Sequence, residues 1–331
     1  MDTYFNSTSM LRYLLVFLFL GSLQAEAQDV WTAVSPTNEA IARHESSFVA
    51  SGGKLYAVGG RGARPVEEFD PKTNTWVKLA DAPMEIHHFQ AISFQDELWI
   101  VGALTGKYPH ETPIPNILIF NPKTKTWREG PALPKNRERG SAGVVVRQNK
   151  IYMVCGIQDG HFDGFVRWFD ELDPKTGTWR SLPSAPRARD HVSAALVDGK
   201  LYLAGGRTSY AKIGKVLELT NKEVDVFDFK TETWSILETE LPTLRAGNSN
   251  LGIGPYLVVM NGESSAQGTS HAEVEVLDTR SNTWSKLPNL LQGRHGTGTA
   301  FLNGKIWVHA GSANRGGGPE LSSMEVLDWK K

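Results

Sequence analysis

The phrase FDPKTNTW at residues 69–76 is written out four more times along the chain, with small changes. The later copies are FNPKTKTW at 120–127, LDPKTGTW at 172–179, FDFKTETW at 227–234 and LDTRSNTW at 277–284. A sixth begins as LDW at 327–329, and the sequence stops at residue 331. From Asp70 to Asn121, Asp173, Asp228, Asp278 and Asp328 the steps are 51, 52, 55, 50 and 50 residues. A period of this length means one supersecondary unit per copy, too small to bury its own apolar face and therefore packed against its neighbours.

The rest of each unit is also legible. A strand-like run closes on small residues: LYAVGG (55–60), LWIVGA (98–103), IYMVCG (151–156), LYLAGG (201–206), LVVMNG (257–262) and IWVHAG (306–311). An apolar run ending in a turn precedes it, as in SAALVDGK (193–200). A third run, such as VEEFD (66–70), leads into the repeated phrase, whose Trp opens a fourth. Four short strands per unit and six units predict an all-β chain folded as a six-bladed β-propeller. The Gly pair that ends the second strand, with a Trp further along each unit, resembles the Kelch family over the whole mature chain. Gly102-Ala103, Cys155-Gly156, Asn261-Gly262 and Ala310-Gly311 depart from the Gly pair in four blades. The last copy lacks a fourth strand. VWTAVSP at 30–36 supplies one, with Trp31 matching Trp76, Trp127, Trp179, Trp234 and Trp284. The first and last segments are therefore expected to share a blade, so that 28–331 forms one closed ring.

Residues 1–27 read as a signal peptide. Arg12 precedes the apolar run LLVFLFLGSL (14–23), and Ala25-Glu26-Ala27 gives a small-x-small cleavage site. The run is too short for a membrane span, so the expectation is a secreted or periplasmic protein with no membrane insertion after cleavage. With 35 basic and 36 acidic residues the net charge is −1, which gives no reason to expect a nucleic-acid partner. The single cysteine, Cys155, excludes an internal disulfide framework and a Cys/His metal cluster. A monomer is expected.

Propeller connectivity puts the repeated turns on one face. The long loops 103–116, 157–165, 207–222, 263–272 and 312–323 fall on the other, where function collects. On that loop face, twelve residues before each second strand, stand Arg43, Ile86, Arg139, Arg189, Arg245 and Arg294. Beside them lie His44, His87, His88, Asp190, His191 and His295. Five arginines around one axis read as a funnel for an anionic ligand. Each could instead be a structural residue paired with acids or carbonyls of neighbouring blades. The histidines could converge on a metal, but no fixed ligand spacing supports one, so no metal and no cofactor is expected. His110, His161, His271 and His309 scatter over loops and one strand. Trp168 is a candidate stacking platform for a sugar, Tyr108, Asn116 and Tyr210 are candidate polar contacts, and Arg315 rides on the flexible run SANRGGGPE (312–320).

A second, narrower resemblance concerns NGE at 261–263. It is similar to the segment that carries the catalytic Glu of the bacterial Kelch-type N-acetylneuraminate epimerases, which implies an acid/base role for Glu263. That family has an Arg six residues further on; here the position is Thr269, and the next ionisable residue is His271. Glu263, His271 and His191 are thus the candidate proton carriers. Galactose oxidase, also Kelch-type, needs a Tyr–Cys crosslink at copper, and Cys155 has no evident Tyr partner. The expected function is binding of an acidic carbohydrate, or a mutarotase, epimerase or lyase reaction on a carboxylated sugar. A protein–protein interaction scaffold is the other class.

Overall fold

The computed structural model describes residues 1–3 and 30–331. The expected leader's apolar run and cleavage site lie outside the described residues. Six four-stranded antiparallel sheets follow one another, spanning 46–80, 91–132, 143–182, 195–236, 249–287 and 299–328. The first strand of each sheet touches the first strands of the sheets before and after it, so the six form a closed ring around one axis. Among the described residues the one helical element is a single 3-10 turn, Ala211–Ile213, and no helix is long and apolar enough to cross a membrane.

The sixth sheet is completed from the other end of the chain. Thr32–Val34 pairs antiparallel with Met324–Asp328 in the register Thr32↔Val326, Ala33↔Glu325, Val34↔Met324. This is the predicted closure. It gives the sixth sheet the fourth strand that the other five carry, so that its third strand is paired on both sides. Trp31 is buried, and its indole N–H donates to Pro288 O of the fifth sheet at 2.9 Å. Trp127, Trp179 and Trp234 repeat the device, each donating to a carbonyl of the preceding sheet: Asp81, Ala132 and Pro183. These four register tryptophans are staples between blades, whereas the Trp284 indole nitrogen is buried without a partner.

The repeated phrase is explained by its turn. The side chain at its second position accepts the N–H two residues on, as in Asp70 with Lys72 (2.8 Å) and Asn121 with Lys123 (2.9 Å). The residue before Thr-Trp takes a left-handed conformation in Asn74, Lys125, Gly177, Glu232 and Asn282. The two hydroxyls of the Thr-x-Thr step bridge at 2.7 Å in the later copies. A Lys at the start of the second strand then pairs with the turn acid, as in Lys54–Asp70 and Lys150–Asp173.

The core is divided as the blades are. Six apolar clusters each fill the wedge between two neighbouring sheets. The closing wedge joins Phe48, Phe69 and Trp76 of the first sheet to Trp307 and Met324 of the sixth. Removing the staple at the junction should be felt by the whole ring. Trp31→Ala is expected to cost about 3–5 kcal/mol in denaturant unfolding, whereas Val77→Ala, at an exposed site, should stay within about 0.5 kcal/mol.

Candidate functional site

The five repeated arginines are not a ligand funnel. Arg43, Arg139, Arg189, Arg245 and Arg294 are fully buried. Each guanidinium turns back into its own blade and meets an acid on the third strand: Glu67, Asp170, Asp225, Glu275 and Glu325. Each also donates to main-chain carbonyls, as Arg245 does to Asn261 O (3.1 Å) and Glu273 O (2.8 Å). A guanidinium taken out of water must have its charge and its N–H groups answered. Here every charge meets an acid, and the N–H groups are met by that acid and by carbonyls, save Arg189 Nε, which is buried without a partner. The acid stands three residues before the turn acid in every blade but the second, a periodicity the sequence reading missed. In the second blade both partners change together, to Ile86 and Leu118, which pack in the same apolar cluster.

What occupies the axis is the position two residues after each arginine. Glu45, His88, Ser141, His191, Gly247 and Gly296 all take positive φ, between 48° and 63°. Main-chain N–H groups link this ring from blade to blade: His88 N to Glu45 O, Ser141 N to His88 O, Gly247 N to His191 O, Gly296 N to Gly247 O and Ser46 N to Gly296 O. The remaining link is His191 N to Ser141 Oγ. A second ring is built from the residue that follows the Gly pair. Arg61, Leu104, Ile157, Arg207, Glu263 and Ser312 each bond the main chain of the residue preceding the first ring. Below both rings an axial cavity of about 390 Å³ runs between the inner strands.

These rings and the loops above them bring a buried ionisable network together from all six blades. Arg207 Nη1 donates to Glu263 Oε1 at 2.6 Å, and His295 Nε2 stands 3.4 Å from Glu263 Oε2 and 3.6 Å from Glu45 Oε1. Asp190 accepts Ser209 N (2.8 Å) and Oγ (2.6 Å) and faces His191 Nδ1. His191 Nε2 lies 3.0 Å from His161 Nε2. His161 Nδ1 in turn lies 3.0 Å from Glu111, which pairs with Arg61. His87 and His88 touch Nδ1 to Nδ1 at 2.7 Å. The sequence signal for Arg61, Arg207 and Glu263 was their shared place after the Gly pair. His161 and Glu111 carry no such signal, and His161 belongs to the site rather than to the scattered histidines.

Burial would raise the Glu263 carboxyl, but His295, Arg207 and the Gly316 N–H outweigh it and hold it at about 2. So low a value makes Glu263 a fixed anion and a weak base, which corrects the proton-carrier role expected of it. His271 does not join it: its ring sits between Ser264 Oγ (2.9 Å) and Glu273 (3.2 Å). Burial, then Arg207 and neighbouring histidines, keep His191 well below its ordinary value, hence neutral. Burial likewise holds Asp190 up. Burial pushes the Cys155 thiol up to about 12, an inert thiol against Arg187 O.

Three other candidates leave the site. Trp168 is taken by the Arg137 guanidinium, 4.5 Å from its ring centroid, with Arg139 at 5.6 Å. Asn116 donates to Glu129 within its own blade. Tyr210 packs edge-on against Phe165. Two lie on the rim. His44 pairs with Glu320 at 2.8 Å, and exposed Arg315 donates to Ser265 O. Tyr108, 59% exposed, lies 5.2 Å from the His161 ring.

A closed ring of six four-stranded blades with its polar groups gathered at one axial mouth defines a six-bladed β-propeller. The family described as the KLHDC2/KLHL20/DRC7 Kelch-repeats domain matches residues 16–206 and 132–311, and the chain belongs to this Kelch-repeat family. It is similar to Kelch-like protein terF of Aspergillus terreus, 26% identical over 78% of this chain and 56% of that protein. It is also similar to Kelch-like protein 35 of Mus musculus, 30% identical over 48% of this chain and 26% of that one. Alpha-scruin of Limulus polyphemus is 26% identical over 71% of this chain and 25% of its own length. The chain thus spans about half or less of these relatives. Among solved structures, that of YjhT superimposes with a TM-score of 0.72 over 88% of this chain and 96% of its own, at 15% identity, a likeness of fold. A Kelch propeller is compatible with an interaction scaffold or with other roles.

The clamps and the fixed anion each make a prediction. Arg245→Ala should cost about 3–5 kcal/mol by stranding Glu275. The pair Arg245→Ile with Glu275→Leu, the second blade's own solution, should cost less than that single change in urea unfolding. For Glu263, a carboxyl lowered from 4.5 to about 2 contributes stability that is present above pH 4.5 and lost as pH falls toward 2. The stability gap between wild type and Glu263→Gln should therefore narrow across that window.

Proposed function

We propose that this chain is an exported Kelch propeller that binds an acidic carbohydrate at the mouth of its axis on the loop face. The observation that carries the reading is the convergence of buried His, Asp, Glu and Arg side chains from every blade at that one place. Groups of this kind are expensive to bury, and a scaffold does not need them there. Four residues of the axial ring, Glu45, His88, Ser141 and His191, keep a left-handed conformation that costs side-chain-bearing residues of order 1–3 kcal/mol each. Glycine occupies the same position in the fifth and sixth blades, so the fold alone does not require a side chain.

The arginines available to a ligand carboxylate are those of the rim, not those of the clamps. Arg61, Arg64 and Arg315 all keep exposed edges there. The Tyr108 ring offers an open apolar face beside His161, the kind of surface on which a sugar ring stacks. With Glu263 a fixed anion, any proton transfer falls to the histidines and Asp190. The mutarotase or epimerase reading therefore rests on these groups.

Titration with uronic and sialic acids at two salt concentrations tests the proposal. Saturable binding that weakens with salt is expected, lowered roughly tenfold or more by Tyr108→Ala and by Arg61→Ala. No binding at low salt, or binding indifferent to both substitutions, would sink it.

A further inference from the structure

Three histidines from three separate segments meet above the axial cavity. His88 and His191 precede the first strands of the second and fourth blades. His161 sits at the tip of the hairpin formed by Ile157–Asp159 and Asp163–Phe165. All three are buried. One ring nitrogen from each lies within 4.8 Å of the other two.

The hydrogen-bond partners fix which nitrogen is bare. A carboxylate only accepts, so His191 carries its proton on Nδ1 toward Asp190, and His161 carries its proton on Nδ1 toward Glu111. A carbonyl also only accepts. His87 Nε2 lies 3.0 Å from Gly106 O and 3.3 Å from Arg61 Nη1; with its proton on the shorter contact, toward the carbonyl, its Nδ1 accepts from His88 Nδ1–H. Each of the three rings therefore spends its N–H outward and points an Nε2 lone pair inward. His88 Nε2 is buried with no hydrogen bond; Glu45 Oε2 is 3.2 Å from it but not in line for one. Two lone pairs facing at 3.0 Å, as in His161 and His191, repel unless a positive charge lies between them. A shared proton would bridge that pair and leave His88 unanswered. A metal cation answers all three.

We propose that His88, His161 and His191 bind one divalent first-row transition-metal ion through their Nε2 atoms. Imidazole nitrogens select this class over calcium or magnesium, which take oxygen ligands. Tetrahedral coordination at 2.0–2.1 Å sets ligand nitrogens about 3.3 Å apart. The His161–His191 pair then opens by about 0.3 Å, and no other ligand nitrogen need close by more than about 1.5 Å. The orienting partners are already built, with Asp190 held by Ser209 and Glu111 by Arg61. His88 and His191 line the axial cavity, which gives the ion an entry and leaves a fourth position for water or substrate.

The test uses the full chain, stripped with chelator and titrated with Zn²⁺ and Co²⁺ alone, without sugar, so its outcome is separate from the carbohydrate reading. One equivalent should bind, and Co²⁺ should give the visible absorption of a tetrahedral nitrogen site. His161→Gln, at a hairpin tip, and His88→Gln should each lose that uptake at least 100-fold while the metal-free melting temperature holds. Glu111→Gln should weaken it 10–100-fold. His110→Gln, an exposed histidine on a neighbouring loop, should leave it unchanged. Absence of stoichiometric uptake by folded wild type overturns the proposal. So does uptake that survives both His161→Gln and His88→Gln, or uptake that His110→Gln removes.

Discussion

The circle of main-chain hydrogen bonds around the axis is the constraint on which the rest depends. The second to sixth blades each hand one main-chain N–H to the blade before, at a residue in left-handed backbone, His191 N reaching Ser141 Oγ rather than a carbonyl, and Ser46 N closes the loop onto Gly296 O. Singly such bonds are worth about 0.5–1.5 kcal/mol net. As a closed set they fix the radius of the ring, and with it the spacing of every side chain that points inward. The pairing of Thr32–Val34 with Met324–Asp328 is the outer counterpart of the same closure.

Around that circle the blades keep charge in two distinct states. In the clamps, an arginine and an acid satisfy each other and several carbonyls inside one blade. The pair can be exchanged for Ile86 and Leu118 without loss of the blade. That exchange marks the clamps as packing devices. At the axial mouth the groups come from different blades, and each blade contributes something different. Irregularity within a repeat is what separates the site from the scaffold that carries it.

This contrast also sets what the sequence could tell. Strands, blade count and ring closure were legible because they rest on local chemistry that recurs along the chain: the Asp or Asn turn, the small residues that close the second strand, and the Trp that opens the fourth. The repeated arginines were misread for the same reason. Periodicity was visible, but the direction of a guanidinium is set by an acid on another strand, 24 residues away in Arg43 and Glu67. The partial resemblance around Glu263 located a residue of the site but not its state, because Arg207 and His295 reach it from other blades. His161 was invisible, since only the hairpin's reach over the axis brings it to His191.

The central claim is that the imidazoles gathered at the axis, rather than the arginines, form the working site. Diffraction at the absorption edge of a metal supplied to crystals of the protein tests it most directly. The account predicts a single strong anomalous peak on the propeller axis, with the Nε2 atoms of His88, His161 and His191 about 2.0–2.1 Å away. An axis without a peak, or a metal found only at the exposed His110 and Asp159 pair, would contradict it.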